Sequence, residues 1–363
     1  PGDMSNETQA MPEAPMTSPA PAALSPTRPF YWSVRRELWE NRSLWIAPLV
    51  VAAVVLFGFT VSLFTAPTLT TVHRTSSFTS DVAGPAAPAA PTAVTTVQQT
   101  TNATVAVTID PTQSARTGAT MTPAQRAALA VLPYDFAAVA LIVTLFIVAV
   151  FYCLGALYDE RRDRSILFWK SLPVPDLTTV LAKAAVPVLI LPPVVFVIAI
   201  VTQLIMLAMN AAALVAHGKS VGVLWANLPL GSLSLVLVYG LVTLTMWWAP
   251  IYAWLLLVSG WARRAPFLWA VLPPLLLALA EKIAFNTGHV ASQISYRLLG
   301  SLQEAFVIPS KAALKAAGGF PNGGVPQLDP VKFLSTPGLW IGLAVAVALV
   351  AAAVWSRRYR EPI

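Results

Sequence analysis

An all-α polytopic membrane protein with six transmembrane helices is the fold class that the sequence predicts. Two observations lead to this prediction. Of the 363 residues, 56% are hydrophobic and only 11% are charged, whereas soluble domains are about 25% charged. Six apolar segments also approach or reach the roughly 20 residues that a helix needs to cross a bilayer. These segments lie near residues 44–64, 136–157, 184–209, 231–258, 267–285 and 338–355.

Prolines interrupt several of the predicted spans. Pro48 lies in the first, Pro187 and Pro192 lie in the third, and Pro250 lies in the fourth. Such prolines are tolerated in membranes because neighbouring helices and local rearrangement satisfy the carbonyls that they free. Two interpretations stay open at this point, a kink for packing and a hinge or broken helix beside a pathway.

The basic residues predict that both termini are cytoplasmic. Fourteen of the 23 Lys and Arg residues lie in short segments on one side of the predicted spans, and the other nine are spread over longer loops. Basic residues in short loops beside spans stay in the cytoplasm. The sequence therefore predicts a multi-pass protein of the bacterial inner membrane. The net charge of +7 reflects this topology, and no nucleic-acid partner is expected.

The segments around the spans differ in composition. Residues 1–27 are rich in Pro, Ala, Ser and Thr, which predicts a disordered tail, with residues 1–3 as a cloning remnant. Residues 28–363 form the predicted transmembrane domain. Its outer loop 65–135 has a stretch at 95–109 that is typical of paired strands. The outer insertion at 286–337 instead has helical spacing of its apolar residues, which predicts an amphipathic helix. Those residues are Val290, Ile294, Leu298, Leu302 and Phe306.

The inner loop between the second and third predicted spans carries the most informative motif. Residues 159–174 read DERRDRSILFWKSLPV, so charges of both signs are followed directly by a bulky apolar patch. A helix of this composition suits docking to a cytoplasmic protein. It equally suits a helix that rests on anionic lipid, with Trp169 and Lys170 at the level of the headgroups.

This motif, followed by Asp176 and Lys183, closely resembles the inner loop of permease subunits in the ABC-2 type (type V-like) exporter family. The order of an N-terminal amphipathic helix, six spans and an outer helical insertion before the sixth span is similar to that family too. The long outer loop 65–135 departs from its compact members. The resemblance implies a permease that pairs with a second copy or a related chain. It also implies two cytoplasmic ATPase subunits, which bind the ATP and Mg, so that this chain holds no cofactor.

By position in the motif, the resemblance implies that the inner loop is a coupling helix for the ATPase. Residues 30–45 also resemble the family's N-terminal connecting helix, and their mixture of Trp and Arg fits a membrane interface. In that segment Arg35, Arg36 and Trp39 are candidates for a second interface contact. The residues implied to contact the ATPase are Asp159, Glu160, Arg161, Arg162, Arg164, Phe168, Trp169 and Lys170.

The sequence has no motif for nucleotide hydrolysis, and we do not expect an enzyme. Gly218-Lys219-Ser220 resembles the end of a phosphate-binding loop, but Ala213 stands where that loop needs its first glycine. No Gly-x-Ser-x-Gly nucleophile motif occurs either. The three histidines are scattered and Cys153 is the only cysteine, so no metal site is expected.

Four further residues are candidates for a substrate pathway. Gln203 is the one clearly polar amide well inside a predicted span, and Met246 and Trp247 belong to an aromatic stretch. Packing is the default role of such a stretch, although it could also line a path for an apolar cargo. Glu281 beside Lys282 is either a substrate or proton site, or a pair at the outer interface.

Three classes of function were weighed. The leading hypothesis is an export permease for an amphiphilic cargo such as a peptide, a drug-like compound or a lipid. The alternative is a secondary transporter driven by an ion gradient, which should show polar groups near the midplane of several spans and an internal repeat. An intramembrane enzyme would need paired catalytic groups at one depth. Neither pattern is evident in the sequence.

Overall fold

A computed structural model describes residues 27–65, 123–163, 165, 175–218, 220–222, 228–307 and 325–359. The predicted tail up to residue 26, most of the outer loop and its strand candidates at 95–109 lie outside the described residues. Those predictions therefore stay predictions.

Helices make up most of the described chain. A π-helical turn at Val186–Ile190 joins the fifth and sixth helices into one continuous helix, and the two short strands pair antiparallel. The elements, in chain order, are α1 (Thr27–Glu40), α2 (Ser43–Thr65), α3 (Pro123–Ala156), α4 (Tyr158–Arg162), α5 (Asp176–Ala185), α6 (Leu191–Ala216), α7 (Leu230–Trp261), α8 (Pro266–Phe285), α9 (His289–Ala305), β1 (Phe306–Val307), β2 (Gln327–Leu328), α10 (Pro330–Ser335) and α11 (Pro337–Tyr359).

Six helical segments of the described chain are long and apolar enough to cross a membrane, which confirms the predicted all-α fold class and indicates a multi-pass membrane protein. The third segment has 41 residues, or about 60 Å at 1.5 Å per residue, and so extends beyond the bilayer core. The segments are Ser43–Phe64, Ala128–Arg162, Asp176–Ala216, Leu230–Trp261, Pro266–Phe285 and Pro337–Tyr359.

The helix α7 lies at the centre of the bundle. It packs against α3, α6, α8 and α11, and its buried side chains include Trp247 and Tyr252. The helix α8 lies at the periphery, because Ala270 is its only buried residue. Large apolar side chains on the outside of such a bundle are expected, since lipid tails rather than water cover them.

The predicted interruptions by proline have two different outcomes. Pro48 and Pro250 lie inside continuous helices. Around Pro187 the helix instead widens into the π-helical turn, and Pro192 and Pro193 follow directly in α6. Prolines donate no backbone hydrogen bond, so this stretch cannot complete a regular helical ladder. Single π turns of this kind often occur at functional sites.

Candidate functional site

All charged side chains that are buried in the described part of the chain lie at one end of the bundle. We call it the inner end, because the sequence predicts it to be cytoplasmic. There α1 packs against α5, and α5 packs against α11. Seven side chains from α1, α3, α4, α5 and α11 form one network, which we call the ionic junction. Its members are Arg36, Glu37, Tyr152, Glu160, Asp176, Lys183 and Arg357.

Glu37 connects α1 to the spans. Its side chain is buried, with Oε1 2.7 Å from Lys183 Nζ. The Tyr152 hydroxyl, near the end of α3, donates to Glu37 Oε2 over 3.0 Å. A buried carboxylate is costly without partners of opposite charge and hydrogen bonds. These two donors therefore fix α1 on the inner end.

Glu160 is the centre of the junction. Its Oε1 lies 3.0 Å from Arg36 Nη2 and 3.2 Å from Lys183 Nζ. Its Oε2 lies 2.6 Å from Arg357 Nη1. Glu160 is 7% exposed, so water screens these contacts little. One carboxylate of the inner loop thereby binds cations from α1, α5 and α11.

The outer members of the junction balance its charge. Arg357 Nε lies 3.0 Å from Asp176 Oδ1, at the first residue of α5. Arg36 Nε lies 2.8 Å from Glu40 Oε1. Burial acts to lower the pKa of the Arg36 guanidinium, but hydrogen bonding and attraction from Glu40 and attraction from Glu160 raise that pKa above its ordinary value. Each cation thus has carboxylate partners, as a buried ionic network requires.

The helix α4 is also held by hydrogen bonds to the inner end of α7. Ser259 Oγ accepts hydrogen bonds from the backbone N–H groups of Leu157 and Tyr158, over 2.9 and 2.8 Å. Arg161 is buried and donates to the carbonyls of Gly260 and Ala262, over 2.7 and 3.2 Å. Carbonyls in the last turn of a helix lack partners within the helix, and a cation suits that end. The start of the inner loop is therefore docked on the bundle.

The residues that the sequence implied as ATPase contacts fall into three groups. Glu160 and Arg161 are buried and bind within the chain. Asp159 and Arg162 are exposed, with Arg162 Nη1 3.8 Å from Asp159 Oδ1. The surface that a partner would meet therefore begins at these two residues and not at the buried pair. The remaining residues lie outside the described chain: Arg164, Phe168, Trp169 and Lys170.

The candidates on α1 lie on opposite faces. Arg36 faces the junction, as described above. Arg35 faces outward with its guanidinium carbon 5.2 Å from the centre of the Trp32 ring, and Trp39 is 69% exposed. Of the three candidates, Arg35 and Trp39 are therefore available to lipid or to a partner.

The pathway candidates have packing contacts. Gln203 is buried, and its Nε2 donates to the backbone carbonyl of Tyr134 over 3.4 Å. Met246 is half-buried against the main core. Trp247 is fully buried, and its ring makes edge contact with Tyr296 of α9, with ring centres 5.2 Å apart. These contacts give each of the three residues a structural role.

Trp247 also belongs to an anchor that holds α9 against α7 and α11. The Arg297 guanidinium lies 4.8 Å from the centre of the Trp247 ring and donates to the Gly338 carbonyl over 2.9 Å. A Cβ at Gly342 would clash with this guanidinium, so glycine makes room for it. Burial lowers the pKa of Arg297 from its ordinary value.

Glu281 holds the start of α9. Its carboxylate accepts hydrogen bonds from the backbone N–H groups of His289 and Val290 and from the Thr287 hydroxyl, each over 2.7 Å. The first N–H groups of a helix lack partners within the helix, and a carboxylate suits that end. The position of Glu281 thus agrees with the interfacial interpretation of this residue.

We expect Glu281→Gln to loosen the first turn of α9. The amide has one carbonyl oxygen where the carboxylate has two, so it cannot accept all three hydrogen bonds, and it carries no charge toward the helix dipole. Amide hydrogen exchange at His289 and Val290 should accelerate several-fold, while exchange in α7 stays unchanged. Unchanged exchange at both amides would show that Glu281 does not cap this helix. Lys282→Gln is the matched control at the next position.

Sequence reasoning did not identify Glu37, Tyr152 or Arg357 as site residues. The available signal was the rarity of acidic residues in a chain with only 11% charge. An acidic residue in a Trp-rich interfacial segment needs a partner, and this reasoning points to Glu37 and Glu40 alike. The identity of the partner could not follow, because Lys183 is 146 residues away along the chain.

Fold and junction together define an all-α, multi-pass membrane protein whose inner segments are joined by buried charges. Within the described residues, no group of three or more His, Cys, Asp or Glu side chains could hold a metal ion. Comparisons with protein-family models, with curated proteins and with solved structures find no match.

Proposed function

We propose that this chain is the membrane-spanning permease subunit of an ATP-driven exporter of the ABC-2 type. It would form the translocation path as a dimer, with a second copy or a related chain, and take its energy from two separate ATPase subunits. The observation that carries the proposal is the ionic junction, which joins the start of the inner loop to the spans. The resemblance of residues 159–174 to a coupling helix supports it independently.

The junction suits the transmission of movement from the inner loop. One residue, Leu157, separates α4 from α3, and Glu160 binds Lys183 of α5 and Arg357 of α11. A displacement of α4 by a bound ATPase subunit would therefore be transmitted to the second, third and sixth spans together. It would also be transmitted to α1, because Glu37 of α1 binds Lys183. Charge pairs of this kind can hold two alternative arrangements, as switching between inward-open and outward-open states requires.

In this proposal ATP is hydrolysed by a separate subunit and not by this chain. The chain lacks a phosphate-binding loop, and Asp159 and Arg162 form the exposed edge of the inner loop. The apolar residues Phe168 and Trp169 follow in the sequence and would be the anchors for the ATPase subunit. The proposed cargo is amphiphilic, and the membrane is the bacterial inner membrane.

Co-purification tests this proposal. A tagged chain, isolated in mild detergent from its source cells, should retain an ATPase subunit together with vanadate-sensitive ATP hydrolysis. Phe168→Ala with Trp169→Ala should remove both the subunit and the hydrolysis. The matched control is Gln293→Ala, an exposed position of α9 at the opposite end of the bundle, which should retain both.

The alternative function, an ion-gradient-driven transporter, makes the opposite prediction. The purified chain alone in liposomes would then move cargo when an ion gradient is imposed, and an ionophore would abolish that transport. Such a result without any ATPase subunit would overturn the proposal of a permease.

A further inference from the structure

We propose that the chain binds an anionic phospholipid of the inner leaflet in a groove beside the π-helical turn of the third span. The other side of the groove is the connection between α1 and α2, residues 41–42, which we call the elbow. The groove has a volume of about 610 Å³, which lies within the roughly 300–1,000 Å³ of small-ligand sites. The proposal rests on the groove itself and stands independently of the proposed export function.

The walls of the groove are apolar with one exception. Leu38 and Trp39 of α1 and Trp45 of α2 form one side, and Ile190 and Val194 form the other. The exception is Arg42 in the elbow, which is exposed and has no ion pair with any residue that the structure describes. A groove with apolar walls and one cation at its rim is complementary to a phospholipid. The acyl chains would lie in the groove and the phosphate would bind the guanidinium of Arg42.

The groove lies at the right depth for this occupant. Arg42 directly precedes the apolar span that begins at Ser43, so we expect its guanidinium at the level of the lipid phosphates. Ile190 and Val194 follow Lys183 by seven to eleven residues, which places them about 10–16 Å further into the bilayer at 1.5 Å per residue. Trp39 and Trp45 fit the belt of tryptophans that is typical of the membrane interface.

The outward face of α1 supports an anionic occupant over a neutral one. Two charged residues of α1, Arg36 and Glu37, point inward to the junction. Trp32, Arg35 and Trp39 are exposed. Glu40 is exposed as well, but its carboxylate lies 2.8 Å from Arg36 Nε and is paired there. Basic residues at the inner surface attract the anionic lipids of the cytoplasmic leaflet. A lipid bound at Arg42 would bridge the elbow to the third span about two to three turns beyond Lys183.

Native mass spectrometry of the full chain released from nanodiscs tests the site, with phosphatidylglycerol and phosphatidylcholine as probes. We expect one phosphatidylglycerol to be retained about fivefold better than phosphatidylcholine. Both lipids offer a phosphate to Arg42, but the choline ammonium cancels the net charge of phosphatidylcholine, and the attraction of one basic residue to an anionic lipid is worth about 1 kcal/mol. Arg42→Gln should remove this preference. Arg35→Gln removes a cation from the same surface outside the groove and should leave the preference within about twofold.

A second pair of variants tests the groove rather than the charge. Val194→Trp should fill the groove and remove the retained lipid, whereas Val197→Trp places the same bulk on an exposed position of α6 and should not. Thermal unfolding of each variant checks that it is folded. The proposal would be overturned if the Arg42 and Arg35 variants had equal effects, or if both lipids were retained equally. It would also be overturned if the protein were a dimer that Val194→Trp dissociates, because a second copy would then occupy the groove.

Discussion

Glu160→Gln is expected to lower the free energy of unfolding by about 3–5 kcal/mol, the usual cost of removing one member of a buried ionic group. Glu160 is 7% exposed and binds three cations from three helices. The amide keeps the shape of the side chain but removes its charge, and its NH₂ group would face a guanidinium or an ammonium. Lys183 would keep Glu37 as a partner, and Arg357 would keep the half-exposed Asp176.

Reversible unfolding of the purified chain in mixed micelles measures this effect. Asp159→Asn is the matched control, because the neighbouring carboxylate is 56% exposed. Surface substitutions of this kind change stability by about 0.5 kcal/mol or less. Equal stabilities of the two variants would contradict the central position of Glu160 in the junction.

The six spans could be predicted from the sequence because the length of an apolar segment is enough to identify a membrane-spanning helix. Which spans are central could not be predicted in the same way. The helices α7 and α8 have the same mean hydropathy, yet 44% of the apolar window of α7 is buried and only 6% of that of α8. Lipid and a protein core are equally apolar surroundings, so hydropathy does not distinguish them. Only the packing of the whole bundle shows which helix is central and which faces lipid.

Sequence reasoning selected the inner loop and α1 as contacts for an ATPase subunit, and that role stays a prediction. Both segments contribute residues to the ionic junction, which the sequence did not predict. That reasoning treated Arg35 and Arg36 alike, although adjacent residues of a helix point about 100° apart and only Arg36 faces Glu160. The face that turns inward is set by Glu160 and Lys183, which are distant in the sequence. Short-range patterns therefore identify the segment but cannot assign the partner of each charge.

The burial of Glu160 and Arg161 has a consequence for the proposed coupling. A loop that only docked on a partner would need exposed charges, whereas Glu160 and Arg161 are buried at its first turn. The exposed part would bind the ATPase subunit, and the buried part would transmit the displacement. The two roles predict different defects, since changes at Asp159 or Arg162 should weaken binding of the partner. Changes in the junction should leave binding intact and uncouple hydrolysis from transport.

Lys183→Met should destabilise the chain by about 3–5 kcal/mol, because it removes the ion-pair partner of the buried Glu37 carboxylate. The two side chains are 3% and 4% exposed, and Lys183 Nζ is 2.7 Å from Glu37 Oε1. Adding Glu37→Gln to the Lys183 variant should then recover about 1–3 kcal/mol, since the unpaired charge is gone. Tyr152 keeps a hydrogen-bond acceptor in the glutamine carbonyl.

A double-mutant cycle in the same unfolding assay measures this coupling. The exposed pair of Asp159 and Arg162, 3.8 Å apart, provides the matched control cycle and should show no measurable coupling. Additive effects of the Glu37 and Lys183 substitutions would contradict a direct pair. If the double variant is stable and binds its ATPase subunit but no longer exports cargo, the charges of the junction serve coupling as well as stability.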